Sequence, residues 1–125
     1  MGPNAIALLG RLLLSAIFIQ GGIHKAMDPT GAIAMMRHYN LPLPQLGFFV
    51  AVIVELAGGL AVLVGWRTRL TAGMLAAWCI ATAFVAHYHP GDANSMIHFM
   101  KNVCMAGGFL QLVAWGAGRF SVDRR

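Results

Sequence analysis

Apolar residues run through the chain in long blocks broken by single polar positions. Leu46 to Gly65 reads LGFFVAVIVELAGGLAVLVG, with Glu55 as its one charge. Roughly 20 apolar residues cross a bilayer, so a helical span is expected at about 46–65. Three further blocks predict spans at about 5–24, 70–87 and 97–115. The first is interrupted by Arg11 and Gln20, and the last by His98, Lys101, Asn102 and Gln111. Between the first two spans, Ala32 to Tyr39 is too short to cross and reads as an interfacial or re-entrant helix. Asp28 is suited to cap that helix, with Pro29 in its first turn. The pattern predicts an all-α protein in one domain over 1–125. Its form is an integral membrane four-helix bundle with a short interfacial or re-entrant helix between helices 1 and 2.

At 100° per residue, Arg11, Ser15, Phe18, Gly22 and Lys25 fall on one stripe of the first helix, and Gln20 and His24 on roughly the opposite side. Lys25 reads as a helix-end side chain snorkelling to the headgroups. Ala57, Ala61 and Gly65 repeat at four-residue spacing, as do Gly73, Ala77 and Ala81, which predicts close approach of the second and third spans.

Composition agrees with a membrane setting. Of 125 residues, 58% are hydrophobic and 10% charged, against about 25% charged in a soluble domain. The net charge of +5 reads as topology rather than nucleic-acid binding, because the charges cluster at helix ends. Arg67, Arg69, Arg119, Arg124 and Arg125 fall on one side, and Lys25, Arg37 and Lys101 at or near the other. The positive-inside rule then puts both termini in the cytoplasm of a bacterial-type plasma (inner) membrane, with a multi-pass chain between them. Cys79 and Cys104 lie in apolar runs and imply no disulfide framework. The first apolar run has no basic stretch before it, and Arg11 interrupts it, so a cleavable signal peptide is not expected.

A carboxylate at the centre of a span costs about 2.5–3.5 kcal/mol on insertion scales, so Glu55 needs a partner or a proton. By helical rise, Glu55 is ~14 Å from either end of its span and Arg11 ~9 Å from the inner end of the first. The expectation is an Arg11–Glu55 ion pair, with Gly58 and Gly59 leaving it room. The alternative is a snorkelling Arg11 and a protonated Glu55. Nearer the outer side, Lys101, Asn102, His98, His24 and Gln20 suggest a polar pocket. It would suit a ligand with an apolar tail and an oxygenated head, such as a quinone, held without a covalent bond. The same residues could instead only anchor helix ends in the headgroups. His87, His89 and His98 have no ligand spacing specific for a metal, and none is expected.

Several motifs carry a family resemblance. They are Gly10-Arg11-Leu12, Gly22 with Lys25, Val54-Glu55-Leu56-Ala57-Gly58-Gly59, and Gly65-Trp66-Arg67-Thr68-Arg69-Leu70. Phe99-Met100-Lys101-Asn102 and Gly116 to Asp123 complete the set. In order and spacing the chain resembles the DoxX family of small four-helix membrane proteins over nearly its whole length. That family takes its name from a membrane subunit associated with thiosulfate:quinone oxidoreductase. The resemblance implies a quinone-interacting or redox-associated membrane subunit of an oxidoreductase system, in the lipid bilayer, with a soluble or membrane oxidoreductase partner. A homo-oligomer is compatible with it. The chain carries no nucleotide-binding fingerprint and no CxxC motif. A small proton-coupled transporter and a non-catalytic scaffold subunit are the competing readings.

Overall fold

The computed structural model describes residues 1–125. It is all-helical, with α1 (Pro3–Met27), α2 (Pro29–His38), α3 (Pro44–Val64), α4 (Thr68–Thr82) and α5 (Ala93–Trp115). A short π-helical segment, Ala83–His87, continues α4. Prolines open the first three helices, where a missing N–H costs nothing. Asp28 accepts from the Gly31 N–H at 3.1 Å and so caps α2 in the expected way. Gly65, at φ +73°, closes α3 with the left-handed turn that glycine tolerates.

Three helices are long and apolar enough to cross a membrane: Pro3–Met27, Pro44–Val64 and Thr68–His87. α5 is long enough at 23 residues but less apolar, because of His98, Lys101, Asn102 and Gln111. α1 runs along α3, α4 runs along α5, and α3 meets α4 to join the two pairs. α2 lies against α3. The buried residues of α1 are Arg11, Ser15, Phe18 and Gly22, four of the five on the stripe read from periodicity.

The main core gathers Phe18, Val62, Leu75, Cys79 and Phe109 where the helix pairs meet. Phe18 and Phe109 contact edge to face at 5.4 Å. A smaller cluster, Met36, Phe48 and Ala51, seats α2 on α3.

Close helix approach falls elsewhere than the small-residue repeats suggest. Ala57, Ala77 and Ala81 are exposed. The tight contact is between α1 and α3. A Cβ on Gly22 would lie 2.6 Å from Leu56 Cγ, and one on Gly59 2.9 Å from Ile19 Cγ1. Four-residue spacing groups small residues on a face without saying whether that face meets protein or lipid.

The C-terminal tail folds over the α3–α4 turn. Val122 N donates to Val64 O at 3.0 Å and Asp123 N to Gly65 O at 2.8 Å. The Asp123 carboxylate accepts from Arg67 N at 2.9 Å and Thr68 N at 2.7 Å. A residue 55 positions away in sequence from Thr68 thus satisfies free N–H groups at the start of α4. Partial burial pushes this carboxyl up. The Thr68 and Arg67 donors and the Arg125 charge outweigh it, so Asp123 titrates below the ordinary carboxylate range.

A depressed carboxyl adds stability above its unfolded pKa, near 4, and that stability is lost as pH falls through the folded value. Asp123→Asn should lower stability by about 1 kcal/mol at neutral pH. Thermal unfolding in detergent should show the gap between parent and variant closing below about pH 4. A gap that persists in acid would show that the carboxylate's charge is not what matters.

Candidate ligand-binding cavity

The contact of α1 with α3 sets which charges meet. Gly22 faces Leu56 and Gly59 faces Ile19, so the two helices run antiparallel and Glu55 lies level with the last turns of α1. Lys25 Nζ donates to Glu55 Oε2 at 2.9 Å, and the two side chains are 30% and 12% exposed. Gly21 gives the pair room, since a Cβ there would sit 3.2 Å from Glu55 Oε2. Gly58 and Gly59 instead face Leu75 and Ile19.

The expected Arg11–Glu55 pair does not form. In this register Arg11 lies about a dozen residues, ~18 Å of helix, from the level of Glu55. Its guanidinium is fully buried at the other end of α3. Nη1 donates to Val62 O at 3.2 Å and Leu63 O at 2.7 Å, and Nη2 donates to Phe120 O. These are carbonyls at the negative end of the α3 dipole, joined by one from the tail. Depth counted from span ends placed Arg11 and Glu55 about 5 Å apart because it took the two helices as level. It also had no means of placing the tail. Lys25, read as snorkelling, turns inward.

Between the α1–α3 pair and the α4–α5 pair lies a cavity of about 1020 Å³, partly open, with α2 along one side. That is at the upper end of ordinary ligand sites, about 300–1,000 Å³. One wall holds Lys25 and Glu55. The opposite wall holds Trp78, Cys79, Thr82 and His87 from α4 and the π segment, with Asn102 and Met105 from α5. Met35, Met36 and Tyr39 of α2, then Leu41 and Leu43, add largely apolar surface, and Gln20, His24 and Asp28 add further polar groups at the α1 side. Thr82 Oγ1 donates to Trp78 O at 2.8 Å and accepts from Asn102 Nδ2 at 3.1 Å. His87 contacts Tyr39 and His98, with ring centroids 6.5 Å and 5.5 Å away. The arrangement offers a cationic donor on one side, an amide and a hydroxyl on the other, and aromatic and aliphatic surface between. It suits an apolar molecule carrying polar oxygens.

Of the five residues expected at such a pocket, Gln20, His24 and Asn102 line it. Lys101 and His98 are exposed and do not. Lys101 is one residue, or 100° of turn, from Asn102, and this angle points it outside. His98 reaches the site only through its contact with His87. Lys25, Glu55, Tyr39, Trp78, Thr82 and His87 are additional lining residues. Only the antiparallel register of α1 and α3 would have signalled the first two. His, Cys, Asp and Glu side chains nowhere gather in threes that could hold a metal. Cys79 and Cys104 are free thiols, the first buried and the second exposed.

Comparison with known proteins supports a membrane setting. The DoxX family profile matches residues 6–88. The chain belongs to the DoxX family. The inner membrane protein YphA of Escherichia coli is 34% identical over 125 aligned residues, covering 96% of this chain and 89% of that protein. The inner membrane protein YqjF of Escherichia coli is 35% identical, covering 94% and 88%. No solved structure matches. This DoxX protein is a membrane protein whose helices require a lipid bilayer.

Removing one member of the Lys25–Glu55 pair strands the other charge. Lys25→Met or Glu55→Leu should each destabilise the protein by about 2 kcal/mol or more, while the double substitution should recover most of the loss. Thermal unfolding of the four proteins in one detergent measures this. Additive losses would mean that the two side chains do not act as a pair.

Proposed function

We propose that this DoxX protein is a quinone-binding membrane subunit that serves an oxidoreductase partner. The observation that carries this reading is the cavity, which is apolar over most of its lining and has polar groups on two opposed walls. A quinone presents carbonyl oxygens on opposite edges of a ring. Lys25 could donate to one and the second amide hydrogen of Asn102 to the other, with the ring against Trp78 or Tyr39. Because the chain carries no motif for a redox centre, electrons would pass through the partner, and this subunit would hold and orient the quinone. A proton-coupled transporter needs an exchanging carboxylate, and here Lys25 holds Glu55 at 2.9 Å.

We further propose that α5 makes a fourth crossing and that α2 lies at the outer interface. Both termini then face the cytoplasm of a bacterial inner membrane, as the arginines at the α3–α4 turn and C-terminus suggest. The names of the two relatives support the inner membrane. Alkaline phosphatase fused after Arg125 should be inactive and a fluorescent protein fused there active. The reverse pattern would overturn the topology.

Trp66 and Trp115 are exposed and Trp78 lines the cavity. With both exposed tryptophans changed to Phe, emission reports Trp78. A quinone should then quench it saturably, and Asn102→Leu or Lys25→Met should weaken binding about tenfold, the equivalent of about 1.4 kcal/mol. Absence of saturable quenching would leave the scaffold reading in its place.

A further inference from the structure

A second depression lies along α1, with a volume of about 540 Å³. It runs from Leu12 to Met27, past Ala16, Ile19 and Ile23, with Leu63 of α3 on its edge. That stretch of α1 is ~22 Å long. Gln20 and His24 border both this groove and the cavity. They are therefore the shared rim of two sites, one polar at its walls and one almost wholly apolar.

Arg11, Ser15, Lys25, Thr71, Thr82 and Asn102 all donate hydrogen bonds to protein partners. Gln20 and His24 make none and are exposed on α1. A polar pair facing lipid is costly unless something passes over it. A ligand whose head occupies the cavity and whose chain leaves it at this point does so. The apolar groove beyond is then where the chain lies.

We infer that the ligand is a long-tailed lipid quinone entering sideways from the bilayer, its head in the cavity and its hydrocarbon tail in the α1 groove past Gln20 and His24. This rests on the quinone reading above and adds the class of quinone and its route.

The test uses the full chain in nanodiscs, with Trp78 emission as the signal. The probes are a tail-less benzoquinone and the same headgroup bearing a ten-carbon tail, both expressed as concentration per lipid so that partitioning cancels. The tailed probe should bind at least about tenfold more tightly. Ala16→Phe, which fills the groove at an exposed position, should remove that gain and leave the tail-less affinity unchanged. Equal affinity of the two probes in the parent overturns the inference while leaving the quinone reading intact, and this comparison needs no variant. A tail-dependent gain that survives Ala16→Phe also overturns it. So does a change of particle mass in Ala16→Phe by light scattering, which would assign the groove to a second copy of the chain. Saturable binding of neither probe overturns both readings.

Discussion

The bilayer's intolerance of unpaired charge organises this protein. Glu55 sits deep in an apolar helix, and its carboxylate is held by Lys25 at 2.9 Å. For the two to meet, α1 and α3 must run antiparallel in one register. That register is enforced from both sides by Gly22 and Gly59, which leave no space for a Cβ between the helices. Slipping either helix by a turn would separate the charges and bring side chains into backbone. Electrostatics and packing therefore select the same arrangement, as a sequence with a single well-defined structure requires.

The opposite end of the pair is closed by a second charge with a different solution. Arg11 is fully buried and is met by carbonyl oxygens of α3 and the tail rather than by an anion. The tail is in turn tied to the start of α4 by Asp123. Three segments distant in sequence thus share one polar knot: the first helix, the α3–α4 turn and the C-terminus. With this end locked, the other end between the helix pairs is free to be hollow. The cavity lies there, the α1 groove runs toward it from beside Arg11, and Gln20 and His24 stand where the two meet.

Much of this was legible in the residues themselves. Long apolar runs, prolines at helix starts, Asp28 before Pro29 and the buried stripe of α1 all depend on neighbours within a few positions, and the structure agrees with them. The family could be read from ordered motifs because their spacing carries over even where their roles are unknown. Gln20, His24 and Asn102 were recognisable as cavity residues because polar side chains within apolar helices are few. Lys101 misled because a polar residue inside a span can also face outward, and its angle decides which.

The residue pattern alone settled local matters: which segments are helical, three of the four expected spans, and that Glu55 must be neutralised. Which cation does so followed from how the helices pack. Arg11 and Lys25 both lie on the same stripe of α1, so helical periodicity could not choose between them. The choice depended on the relative shift of two helices, set by Gly22, Gly59 and the side chains they admit, and on a C-terminal tail that supplies Arg11 with acceptors. Such long-range contacts have no signature in the spacing of residues along one helix, because each follows from how the surfaces of separate segments fit together.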